Sequence, residues 1–326
     1  MEIRSHWRLK AAATGTPSYA MTELSSQNKE HNVRPFPFRF QYHFWLYVLS
    51  MILTCVIAPE RNDLTAAEGA RDMTVYRTPE NIPFGVIGEL KKGNGPAPTL
   101  FVIAHGFEEM RKQPVYTEIA VLMAKQGFIS IVVEPPCHGE DIRPGEPPQI
   151  EGWRYRLEHD CELISPFVVK VQSVLDLLIR EGTTDPQRVA VCGTSRGGWL
   201  TFHDAAVEPR FKAAAAISPV TNLTALREFA TTTARERVEQ LNLARLAPKL
   251  AGRAIWLSIG NNDARVNPDE AIAFTREVVR TAALAEAPDT VIPVELLVAP
   301  TAGHAKIDKA HEMLAEWLIK RMPPEK

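Results

Sequence analysis

Four cysteines in 326 residues are too few for a fold built on disulfides. No two of them have CxxC or zinc-finger spacing, and no HExxH occurs, so metal catalysis has no motif to stand on and no metal or other cofactor is expected. A lone GxG, Gly93 to Gly95, sits in a Pro-rich turn and not at a strand-to-helix junction, which argues against a dinucleotide site. Charge of one sign is also scarce: the formal net charge is -2, the basic residues form no stripe, and aromatics are not interleaved with them. A nucleic-acid partner is therefore not expected. No carboxylate pair suggests glycoside cleavage, and no internal repeat or low-complexity tract is visible. What remains is a chain of 45% hydrophobic composition with ample material for a core, in one large domain or two small ones.

Long apolar runs are nearly absent as well. Residues 44–58, FWLYVLSMILTCVIA, form an uncharged stretch preceded by Arg34, Arg39 and His43. At about fifteen residues it is short for a spanning helix and matches the apolar core of a signal peptide with a basic flank. The expected organisation is a leader over residues 1–70 and a catalytic body over 71–326. The leader implies export to the periplasm or outside the cell. A buried helix and an uncleaved membrane anchor are the alternatives, and only the anchor would make a membrane a partner. Cys55 falls in this run; Cys192 reads as a small buried strand residue, and Cys137 with Cys161 is the pair that could form a bridge.

From residue 71 onward strands alternate with helices. Strand patterns occupy residues 73–77, 84–90, 99–104, 128–133, 188–193, 212–217, 254–259 and 292–298; helical patterns occupy 116–126, 160–181, 199–206, 268–284 and 307–322. Such alternation predicts an α/β fold, a mostly parallel sheet with helices on both faces and ligands at the carboxyl ends of the strands. Residues 134–156, rich in Pro and Gly, and residues 221–250, mainly helical by composition, lie outside the pattern. Both follow strand ends, where each could roof a site or merely decorate the surface.

The stretch RVAVCGTSRGGW, residues 188–199, carries the chemistry. A buried strand ends abruptly in Gly193, Thr194, Ser195, Arg196 and Gly197, a GxSxG, and a helix continues from it. A serine on so tight a turn has a strained backbone, and its neighbours two residues away pack too closely for side chains. The turn lifts the Ser195 hydroxyl clear of the sheet and aims the free N–H groups of the new helix at the same point.

A serine hydroxyl is protonated at neutral pH and needs a base, and the base needs a partner that fixes its tautomer. Of nine histidines, His304 is best placed, in the loop PTAGHAK between the last strand and the last helix. His138, His159, His203 and His311 are weaker. His203, two helical turns past Ser195, should point away from it, and His311 is expected to be solvated among charged neighbours. The orienting acid is Asp263, in GNNDARVNP after the strand at 254–259, whereas Asp269 follows Pro268 and reads as a first-turn helix residue. The chain order Ser195, Asp263, His304, with each residue after a successive strand, is the order known for one fold.

From about Met73 onward the chain resembles the α/β-hydrolase superfamily. The elbow with Trp199, HGF at 105–107, PPCHGE at 135–140 and SPVTNL at 218–223 look like its dienelactone hydrolase and prolyl-oligopeptidase-like branch. The leader is too short for the β-propeller that precedes the catalytic domain of large oligopeptidases. The resemblance implies an oxyanion site formed by the backbone N–H groups of Arg196 and Phe107, where two prepositioned donors stabilise the tetrahedral intermediate, roughly 3 kcal/mol for one of them. It implies for His105 a role in holding its loop through a hydrogen bond.

These residues predict a serine hydrolase that cleaves carboxylic esters through an acyl-enzyme on Ser195. A short-peptide or amide hydrolase using the same triad is the alternative, and a non-catalytic binding scaffold a further one. Arg196, with Arg143, Trp153, Arg154 and Arg156 of the first possible roof, could meet an acidic acyl or sugar group; ordinary surface charge is the plainer reading of these arginines. The expected partner is a small-molecule or saccharide ester.

Overall fold

A computed structural model describes residues 73–322, apart from 89, 91–94 and 288–289. The leader, the apolar run at 44–58 and Cys55 lie outside the described residues. Among the described residues no helix is long and apolar enough to cross a membrane.

Eight strands make one sheet: β1 (Thr74–Arg77), β2 (Pro83–Ile87), β3 (Ala97–Ile103), β4 (Ile129–Val132), β5 (Thr184–Thr194), β6 (Phe211–Ile217), β7 (Ala254–Gly260) and β8 (Val294–Ala299). Their order is β1-β2-β4-β3-β5-β6-β7-β8. The hairpin β1–β2 and the β2–β4 pair are antiparallel, and every later pairing is parallel. The principal helices are α1 (Phe107–Lys112), α2 (Glu118–Ala124), α3 (Gln149–Glu158), α4 (Ile164–Arg180), α5 (Arg196–Val207), α6 (Arg235–Gln240), α7 (Ala247–Leu250), α8 (Pro268–Ala285) and α9 (Ala310–Arg321).

Strands buried on both faces carry apolar residues at every position, and alternation then decides which layer each one joins. Phe101, Ile103, Val189 and Val191 point into one layer, where α4 presents Phe167, Val171, Val174, Leu175 and Leu178, and α8 presents Phe274 and Val278. The intervening Leu100, Val102, Ala190 and Cys192 point into the other, against Ile119 and Met123 of α2 and Leu314 and Leu318 of α9. Burial of each large side chain contributes roughly 1.5–3 kcal/mol, so the two layers clamp the sheet from both sides. The α/β arrangement expected from the alternation is the arrangement present. Helix α8 begins as its sequence requires: Pro268 occupies the first turn, and the side chain of Asn267 accepts the N–H of Asp269 at 3.0 Å.

Several local expectations are corrected. Residues 134–156, left outside the helical pattern in sequence, lead into α3 (Gln149–Glu158), whose Trp153 is fully buried and packs on Trp199 with ring centroids 5.2 Å apart. Cys137 and Cys161 are both free thiols, with Cys137 buried and Cys161 only partly so. His311 is 1% exposed rather than solvated, and it faces Glu118 of α2 across 3.1 Å. His203 is buried against Trp199 and is not among the residues lining the catalytic cavity.

Candidate active site

Ser195 sits between β5 and α5 with φ 54° and ψ -117°, a left-handed backbone that costs a non-glycine residue of order 1–3 kcal/mol. The surrounding glycines show what holds it there. A Cβ on Gly193 would lie 2.3 Å from the backbone carbon of Gly197, and one on Gly197 would lie 1.8 Å from the carbonyl oxygen of Ile103. The elbow is thus wedged between β3 and the first turn of α5, and neither position tolerates a side chain. Hydrogen bonds from Ser195 N–H to the Ile217 carbonyl (2.9 Å) and from Val220 N–H to the Ser195 carbonyl (3.0 Å) lock the turn to the end of β6.

Asp263 and His304 arrive from the ends of β7 and β8. Asp263 is fully buried, and its Oδ1 accepts the N–H groups of Arg265 (3.1 Å) and Val266 (3.4 Å). These bonds fix the carboxylate and leave Oδ2 facing His304 Nδ1 at 2.7 Å. A carboxylate can only accept, so the imidazole proton resides on Nδ1 and Nε2 carries the lone pair. His304 Nε2 lies 3.1 Å from Ser195 Oγ. The structure therefore brings together the three residues that the order of strands and loops singles out, in one hydrogen-bonded row at the carboxyl edge of the sheet.

The row opens into a cavity of about 220 Å³ lined by Ala104, His105, Tyr116, Ser195, Arg196, Ile217, Arg265, His304 and Lys306, among others. The N–H of Arg196, in the first turn of α5, belongs to the orphan donors of a helix start. Phe107 does not supply the second donor expected of it: its N–H is donated to the Glu134 carboxylate at 2.9 Å. Glu134 is 9% exposed, and burial raises its pKa against the opposing pull of the backbone N–H groups of Phe107 and Glu140. Among the described residues His105 holds its loop by ring packing and not by a hydrogen bond, edge-on to His138 at 5.0 Å and tilted against Tyr116 at 5.6 Å. Burial, reinforced by the Arg196 charge, pushes the pKa of His105 down to about 4.

The suggested substrate contacts of the first roof lie away from the cavity. Trp153 donates its indole N–H to the Pro136 carbonyl at 2.7 Å. Arg143 faces outward beside Glu146 (3.5 Å), and Arg154 reaches the Glu228 carbonyl (3.2 Å). Arg156, 3% exposed, bonds Asp141 at 2.7 Å and Glu146 at 2.8 Å, a closed ion network in which removal of one partner costs about 3–5 kcal/mol. Arg196 does line the cavity. Its Nη1 donates to Gln149 Oε1 (2.8 Å) and to His138 Nε2 (3.3 Å). Gln149, Glu134 and Tyr116 are site-shaping residues that sequence reasoning did not single out, and His138, weighed there only as a weaker base, shapes the site instead. A lone glutamate closing the apolar strand ISIVVE was the one available signal.

Comparison with known proteins agrees with this geometry. Residues 168–322, which include all three members of the row, match the model of the prolyl oligopeptidase family. Acylamino-acid-releasing enzyme 2 of Oryza sativa subsp. japonica is 31% identical over 146 residues, 44% of this chain and 17% of that protein, so the match spans about a sixth of the curated relative's length. Among solved structures, the acylaminoacyl peptidase of Pyrococcus horikoshii superposes with a TM-score of 0.58 at 14% identity, over 78% of this chain and 42% of that one. A cold-adapted esterase from an Arctic intertidal metagenomic library superposes with a TM-score of 0.52 at 15% identity, over 77% of this chain and 93% of that one. The two likenesses establish the fold that both share. Over residues 168–322 the chain is similar to the prolyl oligopeptidase family (peptidase S9), and it is a serine hydrolase of the α/β-hydrolase fold.

Proposed function

We propose that this serine hydrolase cleaves carboxylic esters of small, compact substrates. The observation that carries the reading is the row Asp263, His304, Ser195, at 2.7 and 3.1 Å, opening beside the Arg196 N–H. In the first step His304 Nε2 takes the Ser195 proton as Oγ attacks the carbonyl, and Asp263 supports the imidazolium so formed. Negative charge develops on the carbonyl oxygen next to the first turn of α5, where the Arg196 N–H stabilises it. Collapse of the intermediate passes the proton from His304 to the departing alcohol and leaves an ester on Oγ. Water, deprotonated by the same imidazole, then frees the acid.

A cavity of about 220 Å³ lies below the usual range of roughly 300–1,000 Å³ for drug-sized ligands, which favours short acyl groups. Amide cleavage is the second reading, favoured by the similarity of 146 residues to an acylamino-acid-releasing enzyme. Fluorophosphonate labelling with paired substrates separates the two. Ser195→Ala is expected to abolish both labelling and turnover with the fold intact. Wild-type enzyme should hydrolyse p-nitrophenyl butyrate with a far higher kcat/KM than N-acetylalanine p-nitroanilide. Faster anilide cleavage would transfer the assignment to amides, and labelling that survives in Ser195→Ala would remove Ser195 from the chemistry.

A further inference from the structure

Among the described residues, three cationic side chains line the catalytic cavity, and no lining residue is acidic. Arg265 is neutralised by Glu228, whose two carboxylate oxygens each lie 2.7 Å from a guanidinium nitrogen. Lys306 is neutralised by Glu118 at 2.8 Å. Arg196 has no such partner among the described residues. Its two acceptors, Gln149 Oε1 and His138 Nε2, are neutral, and both are served by the same nitrogen, Nη1. His138 is fixed as the acceptor because its Nδ1 bonds the Pro136 carbonyl at 2.9 Å, and burial holds it uncharged by lowering its pKa to about 4.

A guanidinium has five N–H groups in a planar fork suited to bidentate recognition of a carboxylate. The Nη1 bonds tie the fork to α3, while Nε and Nη2 have no acceptor among the described residues, nor are they sealed from solvent. A half-buried cation normally acquires a counter-charge, because desolvation penalises the charged form. Here desolvation outweighs the nearby carboxylates and lowers the pKa of Arg196. The cavity therefore holds one positive charge in excess, on the residue after the nucleophile, with part of its donor set unused.

We infer that the Arg196 side chain binds a carboxylate carried by the substrate, so that the preferred esters are half-esters of short dicarboxylic acids or similarly compact acids. This inference deepens the proposed esterase reading and rests on it. The test compares monoethyl succinate with ethyl butyrate, substrates of matched length that differ in one negative charge. In wild-type enzyme kcat/KM should favour the anionic ester at least tenfold, equivalent to about 1.4 kcal/mol. In Arg196→Gln the ratio should fall to near one, whatever the absolute rates, and Arg196→Lys should recover part of it. A wild-type ratio near one would overturn the inference, and a ratio preserved in Arg196→Gln would remove Arg196 from it.

If neither ester is turned over, labelling still distinguishes failure of the esterase reading from failure of this one. Succinate should slow fluorophosphonate labelling of Ser195 in wild-type enzyme at concentrations where the neutral diamide succinamide does not, and the difference should vanish in Arg196→Gln. Equal protection by both compounds, or by neither, would refute carboxylate recognition.

Discussion

Replacing Asp263 by asparagine changes one atom of the row, and the surrounding hydrogen bonds dictate how the imidazole must respond. The carboxylate accepts from Arg265 and Val266 N–H through Oδ1 and from His304 Nδ1 through Oδ2. Asparagine has a single acceptor oxygen, and the two backbone donors retain it because they have no alternative partner in a fully buried position. The amide nitrogen must then face His304, as a donor where an acceptor stood. His304 responds by accepting at Nδ1 and moving its proton to Nε2, which points a second donor at Ser195 Oγ. The base is lost while every backbone contact survives. The analogous exchange in a serine protease costs about 10⁴-fold in kcat, or about 5.5 kcal/mol of activation free energy, whereas the retained backbone bonds limit the change in stability to about 1 kcal/mol. The assay is p-nitrophenyl butyrate hydrolysis alongside chemical unfolding of the same preparation. Activity within tenfold of wild type, in a variant of wild-type stability, would refute the assignment of the tautomer and with it the role of Asp263.

Packing and charge give two further expected outcomes. Gly197→Ala places a Cβ 1.8 Å from the Ile103 carbonyl oxygen; neither backbone can yield cheaply, so a loss of about 3 kcal/mol or more is expected, read as a large drop in Tm. An unchanged Tm would show that the elbow is looser than these distances require. Burial lowers the pKa values of His105 and His138 to about 4 and that of His203 to about 3. Below pH 6.5 the unfolded chain binds protons that the folded chain refuses, so stability falls as pH drops from 6.5 toward 4. Linkage puts the loss at about 2 kcal/mol per histidine between pH 7 and 5. Asp204 is fully buried, and desolvation, with the Glu208 charge, raises its pKa, so it acts in the opposite sense. Urea unfolding measured from pH 7 to 5 should show a net loss; a flat or rising profile would contradict the neutral burial of these histidines.

The parts of the site legible in sequence are those that local sterics impose. Gly193 and Gly197 are spaced as they are because their backbones nearly touch, and that contact is encoded within five residues. Asp263 and His304 were findable because each follows an apolar strand in a short polar loop, and parallel strands deliver such loops to one edge. Pairings between distant segments were hidden. The Phe107 N–H reads as free in sequence, yet Glu134, just beyond the next strand, accepts it. Trp153, in a Pro/Gly-rich segment, looks available to a ligand, but Trp199 of the elbow helix covers it. His311 looks solvated because its chain neighbours are charged, but a helix turns those neighbours outward and the imidazole inward toward Glu118. Helix α3 escaped detection because Pro147 and Pro148 precede it and Gly152 interrupts it, although that glycine sits where a Cβ would lie 2.3 Å from the Pro147 carbonyl oxygen.

The same distinction bears on how substrate preference is written into the chain. The row of three residues would serve many acyl compounds, and its sequence signal is correspondingly general. Which acyl group fits depends on the balance of charge around the cavity, and that balance is assembled from separate elements. Glu228 comes from the second roof to meet Arg265 after β7, and Glu118 comes from α2 to meet Lys306 beyond β8. Gln149 comes from the first roof to meet Arg196 and brings no charge. An acid at position 149 would complete the pattern and silence the site toward anions. The neutral amide there leaves a cation beside the nucleophile with no counter-charge among the described residues, the position that the inferred substrate carboxylate would fill.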